Sequence, residues 1–149
     1  MKAVDLRLYG IIDPERTGGR ELVHLVREAV AGGATLIQYR DKRAAGRLLV
    51  ERARALKATL AGTGVPLLVN DRVDVALAAE ADGVHLGQDD MQPVVARRIL
   101  GPRAIIGLTI KTAEQAEAAA ALPIDYTCVG GIVLARRSVC RDSPGSRLA

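Results

Sequence analysis

Short apolar runs recur along the chain, and stretches with helical periodicity separate them. Each run is rich in Val, Leu and Ile and does not alternate with polar residues, as is typical of parallel strands buried on both faces. The predicted strands are residues 6–12, 35–39, 65–69, 83–86, 104–108 and 126–129. The apolar pattern therefore predicts six buried strands.

The segments between these runs place apolar residues on one helical face. Leu22, Leu25, Val26 and Ala29 form such a stripe, and residues 48–60 form a second one with charges opposite. Three further helices are predicted over residues 73–81, 94–100 and 112–120. Five helices thus alternate with the six strands.

Strand–helix alternation with short connections implies right-handed crossovers and a parallel sheet, so the predicted fold class is α/β. Six strands fit either an open doubly wound sheet or part of a closed eight-stranded barrel. The chain has 149 residues, whereas a closed barrel usually needs about 200 or more. By length alone, the open sheet is favoured.

Polar residues gather just after the second predicted strand. Gln38, Arg40 and Lys42 are spaced by two, so they project from one face if the strand continues through them. The planar fork of Arg and the point charge of Lys suit a diphosphate, and the amide of Gln can bond the edge of a heterocycle. The alternative is a solvated strand end that is merely basic.

Carboxylates follow the next two predicted strands at Asp71 and Asp90. Ligands of open α/β sheets bind outside the carboxyl ends of the strands, and Mg²⁺ is typically held by one or two carboxylates together with substrate phosphates. The alternatives are a helix N-cap for Asp71 and a helix-dipole partner for Asp90. His85 lies within an apolar run, which favours a core or supporting histidine over a catalytic base.

Composition excludes several classes of function. Four arginines against one aspartate between residues 136 and 149 contribute +3 of the net charge of +4, and Phe and Trp are absent, so no nucleic-acid footprint is present. The two cysteines lack metal-site spacing. No segment resembles a signal peptide or membrane span, so no membrane partner and a cytoplasmic location are expected. Residues 1–131 are predicted to form one domain, with 132–149 an irregular, basic tail.

Five segments taken together resemble the thiamine-phosphate synthase family. They are YGII at 9–12, QYRDK at 38–42, VNDRVD at 69–74, GVHLGQDD at 83–90 and IGLT at 106–109. Their order and spacing match throughout, and the resemblance runs from about residue 6 to residue 131. The chain is identified on this basis as a member of that family.

The resemblance implies a (β/α)₈ barrel that joins hydroxymethylpyrimidine diphosphate to thiazole phosphate and releases pyrophosphate with Mg²⁺. It implies that Asp71 and Asp90 ligate Mg²⁺ and that Arg40 and Lys42 act catalytically on the leaving diphosphate. The implied pyrimidine-diphosphate contacts are Gln38, Tyr39, Arg40, Asp41, Lys42, Asn70 and Thr109. With six strands and five helices, the expected fold is an incomplete TIM-type barrel.

The resemblance weakens after Gly131, where residues 134–138 do not reproduce the family's loop, so a C-terminally truncated or divergent member is expected. Two alternatives remain: a non-catalytic binder of the pyrimidine diphosphate and Mg²⁺, and a thiazole tautomerase-like protein, against which the diphosphate and metal residues weigh. Unpaired edges of an unclosed barrel favour association between copies, which makes a homo-oligomer an expected partner state.

Overall fold

The computed structural model describes residues 4–130. Six strands alternate with five α-helices, and a short 3₁₀ turn at Pro14–Arg16 follows the first strand. The strands are β1 (Tyr9–Ile12), β2 (Leu36–Tyr39), β3 (Leu67–Asn70), β4 (Gly83–Leu86), β5 (Ile105–Ile110) and β6 (Tyr126–Val129). The helices are α1 (Leu22–Ala31), α2 (Gly46–Thr59), α3 (Val73–Ala78), α4 (Pro93–Leu100) and α5 (Ala113–Ala119).

The six strands form one parallel sheet in the order β1-β2-β3-β4-β5-β6. Each crossover moves the chain by one strand in the same direction, and α1 to α4 pack side by side. A doubly wound sheet would instead reverse its strand order at a switch point. The preference for an open doubly wound sheet, drawn from length, is therefore wrong, and the incomplete barrel is confirmed.

The hydrophobic core lies between the sheet and the helices, on what we call the outer face. Tyr39, Val69, Val84 and Ile106 occupy one register row across β2 to β5, and each is at most 2% exposed. They belong to one cluster with apolar residues of the helices, such as Leu49 of α2. A slip of one residue would turn this row away from the helices, so the core also fixes strand register.

The first strand begins three residues later than predicted. Leu6 and Leu8 are exposed rather than buried, and β1 pairs with β2 only from Tyr9, opposite Leu36. Ahead of β2, the Thr35 hydroxyl bonds the carbonyl oxygens of Asp5 and Leu8. Apolar residues here follow the sheet edge without joining it.

The other bounds differ from prediction at their ends. β5 extends to Ile110, and α3 ends at Ala78 because Glu80 adopts a positive φ of 52°. The predicted tail, residues 132–149, lies outside the described residues. None of the helices within residues 4–130 is both long and apolar enough to span a bilayer.

Candidate active site

The face of the sheet opposite the helices, here called the inner face, carries polar side chains. Gln38 precedes Tyr39 in β2, and successive residues of a strand point to opposite faces. By the same alternation Asn70, His85 and Thr109 share the inner face with Gln38. One register row runs through Asn70, His85, Gly107 and Tyr126.

Hydrogen bonds join five inner-face side chains into what we call the inner network. The Gln38 amide Nε2 donates to the Tyr9 hydroxyl, which lies 2.8 Å from the Tyr126 hydroxyl. The Tyr126 hydroxyl lies 2.9 Å from Nδ1 of His85, and Nε2 of His85 lies 2.8 Å from Oγ1 of Thr109. The inner network therefore connects β2, β1, β6, β4 and β5 in turn.

The inner network is electrically neutral. Burial raises the pKa values of Tyr9 and Tyr126, and burial lowers the pKa of His85 against the opposing influence of Asp90. A neutral imidazole has one N–H donor and one acceptor, which suits its two hydroxyl neighbours. His85 thus lies in the core as a supporting residue, with both ring nitrogens occupied.

Gly107 makes room for this arrangement. A Cβ at Gly107 would lie 2.2 Å from Cζ of Tyr126, so the tyrosine ring crosses β5 directly over the glycine. That crossing brings the Tyr126 and His85 rings to a stacked pair, with centroids 5.6 Å apart and planes at 29°. Any larger residue at position 107 would have to displace the ring.

Asp71 sits in an unusual backbone conformation at the end of β3. Its φ is +63°, and the N–H of Arg72 donates to the carbonyl of Asn70 at 2.7 Å, closing a three-residue turn around it. Its own N–H donates to the carbonyl of His85 at 2.8 Å, which continues the pairing with β4. Strained turns of this kind cluster at functional sites. The Asp71 carboxylate forms an ion pair with Lys42.

Asp90 brings a second carboxylate to the same edge. Its Oδ2 accepts a hydrogen bond from the Gly87 N–H at 2.7 Å. Burial raises the pKa of Asp90, and the neighbouring Asp71 carboxylate raises it further, while the Gly87 N–H and Lys42 oppose the shift. Within residues 4–130 no group of three or more His, Cys, Asp or Glu is placed to hold a metal. Among the described residues, Asp71 and Asp90 are the two carboxylates that approach each other at this edge.

β2 ends at Tyr39, so the strand does not continue through Arg40 and Lys42, and long-range ion pairs position both cations instead. Arg40 pairs through Nη1 with Asp13, a carboxylate that is 3% exposed and also accepts the N–H of Glu15 at 3.0 Å. The sequence pattern contains no signal for the Arg40–Asp13 pair, because the partners lie on different βα units.

The side chains of Tyr39 and Asp41 turn toward the helices, away from this edge. Burial and the Asp41 carboxylate raise the pKa of Tyr39 to about 12. Asp41 accepts hydrogen bonds from the N–H groups of Arg43 and Ala44 and from Arg52. Despite burial, these bonds hold the pKa of Asp41 below its usual value. Both residues therefore brace the loop that presents Lys42.

The structure thus brings most of the sequence-predicted residues to the inner face and its carboxyl edge. Asp71 and Asp90 approach each other there, Lys42 pairs with Asp71, and Thr109 lies beside His85. Sequence reasoning did not single out Tyr9 or Tyr126 individually, because a tyrosine within an apolar strand looks like any other core residue. The alternation of strand residues, which places both tyrosines on the same face as Gln38 and His85, was the sequence pattern that could have indicated them.

Sequential parallel strands with carboxylates and cations at their carboxyl ends define a (β/α)-barrel-type protein, a class whose sites lie at that end of the strands. A profile of the family described as "Thiamine monophosphate synthase" matches residues 8–136. The chain belongs to the thiamine monophosphate synthase family.

Curated relatives agree with that assignment. The chain is 51% identical over 144 residues to the thiamine-phosphate synthase of Agrobacterium fabrum, a match that covers 97% of the chain and 66% of the relative. It is 53% identical over 131 residues to that of Xanthobacter autotrophicus, covering 88% and 62%. The chain therefore spans somewhat less than two thirds of these relatives. The first match extends beyond Gly131, the residue after which the family resemblance is predicted to weaken.

A solved structure supports the fold. The thiamine phosphate pyrophosphorylase from Pyrococcus furiosus superposes with a TM-score of 0.75 at 39% identity, over 86% of this chain and 63% of that protein. The sequential parallel sheet described above is thus the arrangement of a related protein.

Proposed function

We propose that the chain acts in thiamine-phosphate synthesis, the joining of hydroxymethylpyrimidine diphosphate to thiazole phosphate with release of pyrophosphate. The observation that carries this proposal is the meeting of Lys42, Asp71 and Asp90 at one sheet edge, beside the inner face that holds Gln38 and Thr109. Family membership supports the reaction, and the geometry supports a site for its first substrate.

The site has separate parts for the two halves of the pyrimidine diphosphate. Gln38, Asn70 and Thr109 offer amide and hydroxyl groups on the inner face for the ring and its substituents. Arg40 and Lys42 lie at the loop end, with the Lys42 side chain half exposed. A guanidinium has five N–H donors, and the contact with Asp13 engages Nη1, so further donors remain for a phosphate oxygen.

The donor set fits Mg²⁺, which prefers carboxylate oxygens and completes its shell with waters and substrate phosphates. Asp71 and Asp90 would hold the ion. Burial and the neighbouring Asp71 carboxylate raise the pKa of Asp90, and a bound cation would offset the charge of the two carboxylates. When bound, Mg²⁺ would supply Lewis acidity toward the diphosphate.

In the proposed reaction, the bond between the pyrimidine methylene and the diphosphate breaks, and its electron pair leaves with the diphosphate oxygen. The thiazole nitrogen then forms a bond to the methylene carbon with its lone pair. Arg40 and Lys42 would stabilise the negative charge that develops on the departing group, as fixed charges that need no rearrangement. No general base on the protein is needed, which agrees with the occupied nitrogens of His85.

Pyrophosphate release by the purified chain, with both substrates and Mg²⁺, tests the proposal. We expect Asp71→Asn and Asp90→Asn each to lower the rate at least about a hundredfold, since each removes one of two metal carboxylates. Asp89→Asn is the matched control: it removes the same charge one residue away, at an exposed position. Lys42→Met should lower the rate through loss of charge stabilisation.

Calorimetry with the pyrimidine diphosphate separates binding from turnover. Mg²⁺-dependent binding without pyrophosphate release would favour the non-catalytic binder over the synthase. Rates that respond equally to Asp71→Asn, Asp90→Asn and Asp89→Asn would refute the proposed site.

A further inference from the structure

Three residues of the inner network, Tyr9, Tyr126 and His85, stand between two candidate substrate contacts, Gln38 and Thr109. Their hydrogen bonds cross five strands, and Gly107 is needed to let the Tyr126 ring reach His85. These bonds link the two ends, so the donor and acceptor roles of Gln38 at one end are coupled to those of Thr109 at the other.

The direction of the inner network follows from the Gln38 end. The amide nitrogen can only donate, so the Tyr9 hydroxyl accepts from it. Among the described residues the Tyr126 hydroxyl is the other hydrogen-bond partner of Tyr9, so we assign the Tyr9 proton to that bond. Tyr126 in turn donates to Nδ1 of His85. Because Nδ1 accepts this bond, the imidazole proton lies on Nε2, which donates to Oγ1 of Thr109. The Thr109 proton is left to donate away from the network.

The amide oxygen of Gln38 is the free group at the opposite end. No hydrogen bond to this oxygen is present among the described residues, and within them no buried polar side-chain atom lacks a partner. The oxygen of this otherwise buried side chain therefore keeps a small solvent-accessible surface. One end of the network offers an acceptor and the other end a donor.

We propose that Tyr9, Tyr126 and His85 are positioning residues that present the Gln38 oxygen as an acceptor and the Thr109 hydroxyl as a donor to an aminopyrimidine diphosphate. This inference rests on the proposed function and adds the basis of ring selectivity. The exocyclic amine of the ring meets the acceptor of Gln38. A ring with a carbonyl oxygen at that position would face another oxygen and bind more weakly.

The opposite direction would exchange every role. If the Gln38 amide were turned over, its nitrogen would face the substrate, Nδ1 of His85 would carry the proton, and Thr109 would donate to Nε2. The exchange of amide oxygen and nitrogen is an assignment from the hydrogen-bond network, so the His85 tautomer distinguishes the two directions experimentally.

NMR of the ¹⁵N-histidine-labelled chain reads that tautomer directly. The chain has two histidines, and His24 lies on the exposed surface of α1, so His24→Gln assigns both signals. We expect the proton of His85 on Nε2 and an unprotonated Nδ1. A proton on Nδ1, or an average of the two tautomers, would overturn the proposal.

Tyr126→Phe then tests whether the direction matters for the substrate. The ring still covers Gly107, but His85 loses the donor to Nδ1, so we expect mixed tautomers and about tenfold weaker Mg²⁺-dependent binding of hydroxymethylpyrimidine diphosphate, the loss of about one hydrogen bond. Tyr39→Phe removes the same atom on the outer face and should leave the His85 tautomer unchanged.

Unchanged binding in Tyr126→Phe would overturn the positioning role, because a merely structural tyrosine would alter stability but not the tautomer or the affinity. If the wild-type chain binds no pyrimidine diphosphate, the proposed function fails and the positioning role fails with it. The tautomer of the free protein still reports the direction of the network in that case, so the two failures are distinguishable.

Discussion

The two faces of the sheet are built from the same six strands yet follow opposite rules. The outer face is aliphatic, and its row through Val69, Val84 and Ile106 is almost fully buried against helices. The inner face carries a continuous hydrogen-bonded network of two tyrosines, a glutamine, a histidine and a threonine. Because successive residues of a strand point to opposite faces, each polar side chain of the inner face is next in sequence to a side chain packed in the outer core. Packing on the outer face therefore helps to fix the position of the inner-face groups.

The adjacent residues Ile105 and Ile106 give the largest expected difference between the faces. Ile106→Ala removes a fully buried side chain from the outer core and should lower the free energy of unfolding by about 2–5 kcal/mol. Ile105→Ala makes the same change on the inner face, where the side chain is only partly buried, and should cost clearly less. Chemical denaturation measures both, and equal losses would show that the faces share the core equally.

Gly107→Ala tests the inner face by adding an atom instead of removing one. The new Cβ would meet the Tyr126 ring, so we expect a loss of about 1–3 kcal/mol from overpacking and displacement of the Tyr126 hydroxyl from His85. The matched change Gly18→Ala falls on the surface with open space around it, although its positive φ carries its own strain. A Gly107→Ala protein with native stability and an intact His85 signal would contradict the packing argument.

Two substitutions at Asp71 distinguish the effect of its backbone conformation from the effect of its carboxylate. Asp71→Ala and Asp71→Gly both remove the carboxylate, but only glycine relieves the positive φ. The free energy of unfolding of the glycine variant should therefore be about 1–2 kcal/mol higher than that of the alanine variant. Both variants should lack activity. Thermal unfolding of the pair is the measurement, and equal stability would mean that the turn relaxes without cost.

Ionisation of the tyrosines is expected to leave stability unchanged at neutral pH and to lower it only at high pH. The chain has three, and burial is the main cause of a raised pKa for each, to about 12 for Tyr39 on the outer face. Since the folded state favours the neutral phenol, this stability is intact below the ordinary tyrosine pKa of about 10 and is lost as pH rises above it.

Absorbance at high pH can follow this ionisation without interference from tryptophan, which the chain lacks. We expect tyrosinate to form together with unfolding and above pH 10, on both faces alike. A tyrosine that ionises near pH 10 in the folded protein would show that its face is open to water.

The sequence predicted the outer face well and the inner face only at its ends. Aliphatic runs placed all six strands because the outer core requires them, and the polar residues after β2, β3 and β4 marked the carboxyl edge. The apolar runs do not specify the direction of the crossovers, and therefore they do not specify the strand order of the barrel. For this reason the preference for an open sheet, drawn from chain length, was wrong. The sequence pattern did not indicate the contact of Tyr126 with His85, because the two residues lie on different βα units. The sequence pattern also does not indicate that Arg52 and two backbone N–H groups hold the Asp41 side chain toward α2; the substrate contact of Asp41 stays a prediction.

The left-handed turn at Asp71 also limits how this site can change by mutation. Asparagine and glycine, which tolerate that backbone, are both reachable from an aspartate codon by one base change, and neither supplies a carboxylate. Glutamate is equally reachable and keeps the charge, but its longer side chain does not favour the turn. Substitution by asparagine or glycine therefore preserves the turn but removes the carboxylate that is proposed to bind the metal.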